Sequence, residues 1–258
     1  MEGIYQIDSA RSGIDNMSID QAMLLQTAED GIARLRIYRW DKPTVSLGYF
    51  QKFEDFQAFN PAEDLSVVRR ATGGGAIVHH YDWTYSITLP ATQAGAVAHG
   101  ASPRLYDSVH GAVIGWLGQH QVAAELWSNQ PLPEVQQSSA VCNAGGCSFL
   151  CFERRHAGDV IVDNFKVMGS AQRRHGQALL QHGSLLLQTS PLATSLVGLA
   201  ELGFQPEGQL EGFARHILEG LRVDFGIQFQ CYDCSDPVVP IPEETRLKFE
   251  SKQWTARI

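Results

Sequence analysis

The spacing of hydrophobic positions changes several times along the chain, and each change predicts an element. Ile19, Met23 and Leu24 recur on one side of a helix beginning at Asn16, which would cap it, with Asp20 in the first turns. Ala33 to Trp40 then alternates as a strand does, with Leu35 and Ile37 on one face and Tyr38 pendant on the other. Thr44 to Phe50 follows a Lys-Pro turn, Leu65 to Val68 precedes a run of glycines, and Thr84 to Leu89 is strand-like again. The clearest helix spans Pro103 to His120. Ser102 caps it, Pro103 suits its first turn, and Leu105, Val109, Val113 and Trp116 recur at helical spacing. A further helix, from about Gln209 to Leu221, gathers Leu210, Phe213, Ala214, Ile217, Leu218 and Leu221 on one face. Short strands fall between these two helices at Asp159 to Val162, Lys166 to Met168 and Ser184 to Leu187. Strands in runs with helices segregated between them predict an α+β fold, a mixed or antiparallel sheet flanked by helices.

No repeat, low-complexity tract or long linker divides the 258 residues. The expectation is one domain over 1–258, its core at about 30–225, with a short C-terminal extension. Apolar runs such as Leu185 to Leu187 are only a few residues long, far short of a membrane span. The start Met-Glu-Gly-Ile-Tyr lacks the basic-then-apolar order of a secretory leader, and five cysteines without an export signal suit a reducing, cytoplasmic setting. A net charge of −8 argues against general nucleic-acid binding. The cations are unevenly placed, however: Arg69, Arg70, Arg154, Arg155, Lys166, Arg173 and Arg174 flank the two segments richest in candidate chemistry. A locally basic site on an acidic protein suits anionic substrates or acidic partners, though any one of these arginines could equally be a solvated surface residue.

The first segment is Arg69-Arg70-Ala-Thr-Gly73-Gly74-Gly75-Ala-Ile-Val-His79. Three glycines between strand-like runs allow close approach of the backbone to a ligand, and the arginines could hold a phosphate or carboxylate. A flexible hairpin turn explains the same residues. The segment is neither a dinucleotide fingerprint nor a phosphate loop, since Gly-x-Gly-x-x-Gly and Gly-Lys-Ser/Thr are both missing.

The second segment contains Cys151, then Asp159 to Arg174 with Lys166 and Gly169-Ser170-Ala171-Gln172, then Gln181-His182-Gly183-Ser184. Asp163-Asn164 reads as a turn that returns the chain along a strand bearing Lys166. The small residues Gly169, Ser170 and Ala171 could direct backbone N–H groups at a carbonyl or anion. Cations near Cys151 would favour its thiolate, making it a candidate nucleophile. Read alone, Phe149-Leu-Cys151-Phe152 is also an ordinary setting for a buried small residue.

Taken together, the two segments resemble the signatures of the lipoate–protein ligase, biotin ligase and octanoyltransferase superfamily. The first signature is similar to Arg-Arg-Ala-Thr-Gly-Gly-Gly-Ala-Ile-Val-His79 with Trp83-Thr84-Tyr85-Ser86, and the second to Lys166-Val-Met-Gly-Ser-Ala-Gln-Arg followed by Leu-Gln-His182-Gly183-Ser. With the Asn16-Met17 helix and the Ser46-Leu-Gly-Tyr49 strand, the resemblance covers roughly the first two hundred residues. It implies the superfamily's catalytic fold, a medium-chain acyl tunnel lined by the glycine turn and His79, and substrate contacts at Arg70, Gly73, Gly74, Gly75, Gly169, Ser170, Ala171, Gln172, His182 and Gly183. His80 stands where many ligases of the family carry an acidic residue, and the Gly-Arg-rich turn of biotin ligases is absent. Cys151 ahead of the Lys strand is similar to the octanoyltransferase branch that keeps its nucleophile in this central loop. In that branch the Cys carries the acyl thioester and the Lys supports its thiolate. The other branch uses a late Pro-Cys-Gly, a context that Cys231 and Cys234 lack.

The reaction implied is transfer of octanoyl from acyl carrier protein to a lysine of a lipoyl domain, such as glycine-cleavage H protein or an E2, with no cofactor. An ATP-dependent lipoate–protein ligase and an octanoyl amidotransferase between lipoyl domains are the alternatives, and a non-catalytic carrier-binding relative is a third. A structural metal is a competing use of the thiols: Cys231-x2-Cys234 is the usual half of a zinc site, but Cys142 and Cys147 do not supply a second Cys-x2-Cys, no regular histidine pattern accompanies them, and no metal is expected. The small-residue stretch Ser138 to Gly146 reads as a loop over the site.

Overall fold

A computed structural model describes residues 1–59, 65–95, 102–128, 148–233 and 235–257. The main sheet has eight strands, β1 (Glu2–Ile7), β2 (Ala33–Tyr38), β6 (Asp82–Pro90), β7 (Ala124–Leu126), β8 (Val160–Val162), β9 (Phe165–His175), β10 (Ala178–Leu186) and β11 (Gln228–Cys231). They lie in the order β11-β1-β2-β6-β10-β9-β8-β7. β1 is parallel to both β11 and β2, and the remaining pairs are antiparallel, so the sheet is mixed as expected. A second sheet of three strands places β3 (Thr44–Leu47) between β4 (Ser66–Arg69) and β5 (Ile77–His79). The glycine turn is therefore not a hairpin. It carries the chain from β4 across β3 to β5, and glycine suits that path because Gly74 adopts φ 94°.

The helices cover both faces of the main sheet. Helices α3 (Pro103–Gln119) and α4 (Leu210–Phe225) pack through Leu105, Val109, Val113, Trp116, Phe213, Ile217 and Leu221 into one core with Leu35, Ile37, Tyr85, Ile87, Leu179 and Leu185. Ser102 caps α3 by accepting a hydrogen bond from the Leu105 amide, and Pro103 occupies its first position. Both helices match their sequence patterns because each buries one apolar stripe. Helix α1 (Gly13–Asp30) lies on the other face, where Leu24 meets Ala178 and Leu180, the neighbours in β10 of the residues facing α3 and α4.

Two expectations change at α1. Its cap is Ser12, not Asn16: the Ser12 hydroxyl accepts from the Asp15 amide at 3.1 Å and donates to the Asp15 carboxylate at 2.6 Å. Asn16 instead lies buried inside the helix, donating to the carbonyls of Arg11 and Arg39 and accepting from Arg36. The alternation in β2 is real, yet its polar face is not solvated. Arg34 and Arg36 are buried beneath α1, paired with Asp30 and Asp8. The remaining helices are short: α2 (Phe53–Phe59), α5 (Glu243–Glu250) and α6 (Lys252–Thr255). The edge strand β11 and its neighbour β1 come from segments outside residues 30–225. Among the described residues no helix is long and apolar enough to cross a membrane.

Candidate active site

A cavity of about 800 Å³ is lined from both sheets and from α3. That volume is in the range of small-ligand pockets, roughly 300–1,000 Å³. Cys151, Lys166, Arg70, Gly73, Gly74, His79, Gly169, Ser170, Ala171, Gln172, His182 and Gly183 all line it, together with apolar groups such as Met17, Trp40, Ile77 and Leu126. Of the residues singled out in the sequence, Gly75 stands just behind the wall.

The position of Cys151 follows from that glycine. Ala76 donates to the Phe149 carbonyl at 2.9 Å, and the Cys151 amide donates to the Ala76 carbonyl at 2.8 Å, so the glycine turn and the cysteine loop run as one short parallel bridge. A Cβ on Gly75 would lie 2.9 Å from both the Cα and the N of Cys151. Only glycine allows this approach. Cys151 then opens a 3-10 turn, Cys151–Glu153, whose Phe152 is buried in a second core with Val45, Leu47 and Leu150.

Lys166 arrives from the opposite wall. Asp163 and Asn164, both at positive φ (46° and 67°), make the predicted turn between β8 and β9. Lys166 is 5% exposed, and its Nζ is 2.8 Å from Asp159 Oδ2, 3.3 Å from the Arg154 carbonyl, 3.4 Å from the Cys151 carbonyl and 3.9 Å from Cys151 Sγ. Its path is open because residue 169 has no side chain: a Cβ there would lie 2.6 Å from Lys166 Cε. β8 pairs with β9 only as far as Met168, whereas β10 pairs with it to His175. Beyond Met168 the outer edge of β9, starting at Gly169, therefore borders the cavity without a strand partner among the described residues.

Asp159 and His110 were not identified from the sequence. Asp159, also 5% exposed, accepts from both Lys166 and the His156 amide. His110 is buried on α3 and fixes the segment carrying Asp159: its Nδ1 lies 2.5 Å from the Gly158 carbonyl, so that nitrogen donates. Burial pushes the His110 pKa down, with the Lys166 charge adding to the effect, so the ring is neutral and its Nε2 accepts from Ser170 Oγ at 2.6 Å. Ser170 in turn accepts from the Tyr85 hydroxyl, which accepts from Gln181, whose side-chain oxygen accepts from Gln172. These groups form a directed chain of hydrogen bonds behind the cavity wall. Ser170 and Gln172 line the cavity, with their side chains engaged in this hydrogen-bonded chain.

His79 and His182, also in the cavity wall, each contact a buried carboxylate. His79 Nδ1 is 2.7 Å from Asp82 and its Nε2 is 2.8 Å from Ser46 Oγ, while Trp40 stacks on the ring at 3.8 Å. Burial lowers the His79 pKa and outweighs the neighbouring carboxylate; burial would raise that of Asp82, but His79, Ser184 and Thr84 together hold it below the ordinary value. His182 joins Asp20 of α1, at 2.9 Å, to Thr72 of the glycine turn, at 2.6 Å. Arg70 shapes that turn through both terminal nitrogens, donating to the carbonyls of Ser46, Gly73 and Gly75, and burial lowers its pKa to about 10. Arg69 likewise donates to the carbonyls of Gly48, Gln51 and Thr255. Arg154 and Arg155 are bonded to the carbonyls of Ser148 and Asn164. Lys166 is thus the cation that meets the Cys151 sulfur.

Cys142, Cys147 and Cys234, and the stretch from Ser138 to Gly146, lie outside the described residues. Cys231 is exposed, and among the described residues no group of three metal-ligating side chains forms.

Residues 12–200 match the family described as Lipoyl protein ligase A/B catalytic domain. The chain is 34% identical over 184 residues to Octanoyltransferase LipM of Carboxydothermus hydrogenoformans, a match covering 69% of this chain and 62% of that protein. It is 34% identical over 290 aligned positions to the protein of the same name from Brevibacillus brevis, with 98% of each covered. The chain thus spans less than two thirds of the Carboxydothermus protein in one match and nearly all of the Brevibacillus protein in the other. Among solved structures, lipoate-protein ligase A bound with ATP superposes with a TM-score of 0.67 at 17% identity, over 99% of both chains. The bi-partite lipoate protein ligase from Thermoplasma acidophilum gives 0.65 at 17% identity, over 99% of this chain and 96% of that one. At these identities the structures share the fold. The sheet order, the paired signatures and the sequence match agree, and the chain belongs to the lipoyl protein ligase A/B catalytic domain family.

Proposed function

We propose that this protein is an octanoyltransferase of protein lipoylation, moving octanoyl from acyl carrier protein to a lysine of a lipoyl domain through an acyl thioester on Cys151. The observation that carries this reading is the Cys151 thiol, 3.9 Å from a buried ammonium and facing a cavity with apolar walls. The similarity to octanoyltransferases supports it. In the first half-reaction the Cys151 thiolate attacks the donor's thioester carbonyl carbon. The bond from that carbon to the donor sulfur breaks, and the donor leaves as a thiol with the proton that Cys151 lost. In the second, the acceptor amine attacks the acyl-enzyme, loses a proton and forms the amide, returning the Cys151 thiolate. Lys166 supplies positive charge beside the sulfur in both steps. The open β9 edge from Gly169 offers backbone N–H groups near the developing oxyanion. A thioester is already activated, so the chemistry calls for no ATP.

The test is a two-stage incubation read by intact mass. Octanoyl-acyl carrier protein without ATP is expected to add one octanoyl group, and H protein added next is expected to remove it and become octanoylated. No adduct, combined with ATP-dependent modification of H protein by free lipoate, would establish the ligase instead. Octanoylated H protein offered in place of the carrier protein separates amidotransfer from the proposed donor reaction.

A further inference from the structure

We infer that a basic platform on the cavity rim docks the acidic face of the protein that delivers the acyl chain. This rests on the acyl-transfer reading above. The platform is built from Arg173 at the end of β9 and from Lys248 and Arg257 near the C-terminus. The two arginines sit over the ring of Tyr49, with Cζ 5.2 Å (Arg173) and 4.0 Å (Arg257) from its centroid. Lys248 Nζ lies 4.0 Å from the ring of Trp254, which Arg257 also covers at 5.0 Å. Aromatic faces hold these cations, and Lys248 also donates to Gln21 Oε1 at 3.4 Å. Among the described residues no acid comes within ion-pair distance of any of the three. On a protein of net charge −8, such a group is an exception that calls for a partner.

The three cations share one field. Burial lowers the Lys248 pKa first, and the charges of Arg173 and Arg257 lower it further. Among the described residues no carboxylate lies within ion-pair distance to relieve their mutual repulsion; an acidic protein surface would. Placement supports the same partner. Arg173 directly follows Gln172, which lines the cavity, and the Tyr49 amide donates to Thr72 at the start of the glycine turn. Trp254 Nε1 donates to the Arg69 carbonyl at 2.9 Å, joining the C-terminal segment to the same rim. Arg173 and Arg257 are exposed, and Phe50 beside Tyr49 is 75% exposed, giving the platform a polar field and one apolar contact. Lys248, Trp254 and Arg257 lie beyond residues 12–200, the stretch matched by the family.

The experiment compares two octanoyl donors in the first half-reaction, octanoyl-acyl carrier protein and uncharged octanoyl-N-acetylcysteamine, using the full chain and the variant Arg173→Glu/Arg257→Glu. Both side chains are exposed, so the fold should tolerate the change, and Arg173→Lys/Arg257→Lys serves as the charge-preserving control. Steering by rim charges predicts a rise of about tenfold in the half-saturating carrier-protein concentration at low salt, with the small donor unaffected and the control near wild type. It also predicts that sodium chloride weakens the carrier reaction of the wild type and hardly affects that of the variant. Equal loss with both donors, or no change with either, would overturn the inference. So would a defect confined to transfer onto the acceptor, which would make the platform the acceptor's dock. Failure of the wild type to acylate from either donor would instead remove the acyl-transfer reading, and this inference with it.

Discussion

Asp159 holds the Lys166 ammonium at 2.8 Å, and both side chains are only 5% exposed. A buried cation without a counter-charge is costly, so the carboxylate lets a positive charge stand beside the Cys151 sulfur. Asp159→Asn is therefore expected to cost about 3–5 kcal/mol in urea unfolding. It should also slow acyl-enzyme formation by about a hundredfold as Lys166 shifts. Asp159→Leu combined with Lys166→Met should regain much of the stability while remaining inactive in single-turnover acylation. Recovery of both together would show that the pair is not what supports the thiol.

Two glycines separate the geometry of the nucleophile from that of its cation. A methyl at residue 169 meets the end of the Lys166 side chain, which can swing away, whereas one at residue 75 meets the backbone of Cys151, which cannot. Gly75→Ala is expected to destabilise the protein by about 1–3 kcal/mol, the range for overpacking. Gly169→Ala should lower the acylation rate sharply and cost stability only through the Lys166–Asp159 pair it disturbs, so adding it to the Asp159→Leu/Lys166→Met variant should change the unfolding midpoint little. Gly75→Ala should destabilise that variant as it does the wild type. Thermal unfolding in the two backgrounds checks the contrast, and equal losses from both glycine changes in the double variant would argue against it.

That Cys151, Lys166 and much of the cavity lining belong together was legible because the superfamily's signatures are local, each within a dozen or so residues of chain. What the sequence concealed are the long-range partners. Asp20 meets His182 across 162 positions and His110 meets Ser170 across 60, and no local pattern marks either pair. Asp159 was hidden for another reason: the sequence places it at the head of a strand with nothing to mark its side chain, and only the fold turns it toward Lys166. At α1, Asn16 suits a cap by residue type, but Ser12 with Asp15 makes the reciprocal bonds, and Asn16 serves the buried Arg36. The edge strand β11 and its neighbour β1 escaped notice because they pair with each other across most of the chain, a partnership no local pattern marks.

Stability should fall on acidification in two stages. Burial lowers the pKa of His79 and His110 beneath the ordinary 6.5, so the unfolded chain takes up protons first as the pH falls. Their contribution is complete above about pH 7 and is lost as the pH drops below 6.5 toward the folded values. The slope is at most about 1.4 kcal/mol per pH unit for each histidine. Asp82, held below 3.8, adds a contribution that is lost only at lower pH. Urea unfolding at a series of pH values from 5 to 8 should show the first stage, and His110→Gln should reduce its slope. A flat profile over this interval would contradict the neutral, buried state of these rings.

The most direct test of the central claim is the location of the acyl group. After incubation with octanoyl-acyl carrier protein, proteolysis and peptide mass analysis should find a hydroxylamine-labile octanoyl group on the peptide containing Cys151. It should be absent in Cys151→Ala and strongly reduced in Lys166→Met, with the exposed Cys231 unmodified throughout. An octanoyl group on Cys231 or on a lysine, or a Cys151→Ala variant that still transfers octanoyl at the wild-type rate, would contradict the account.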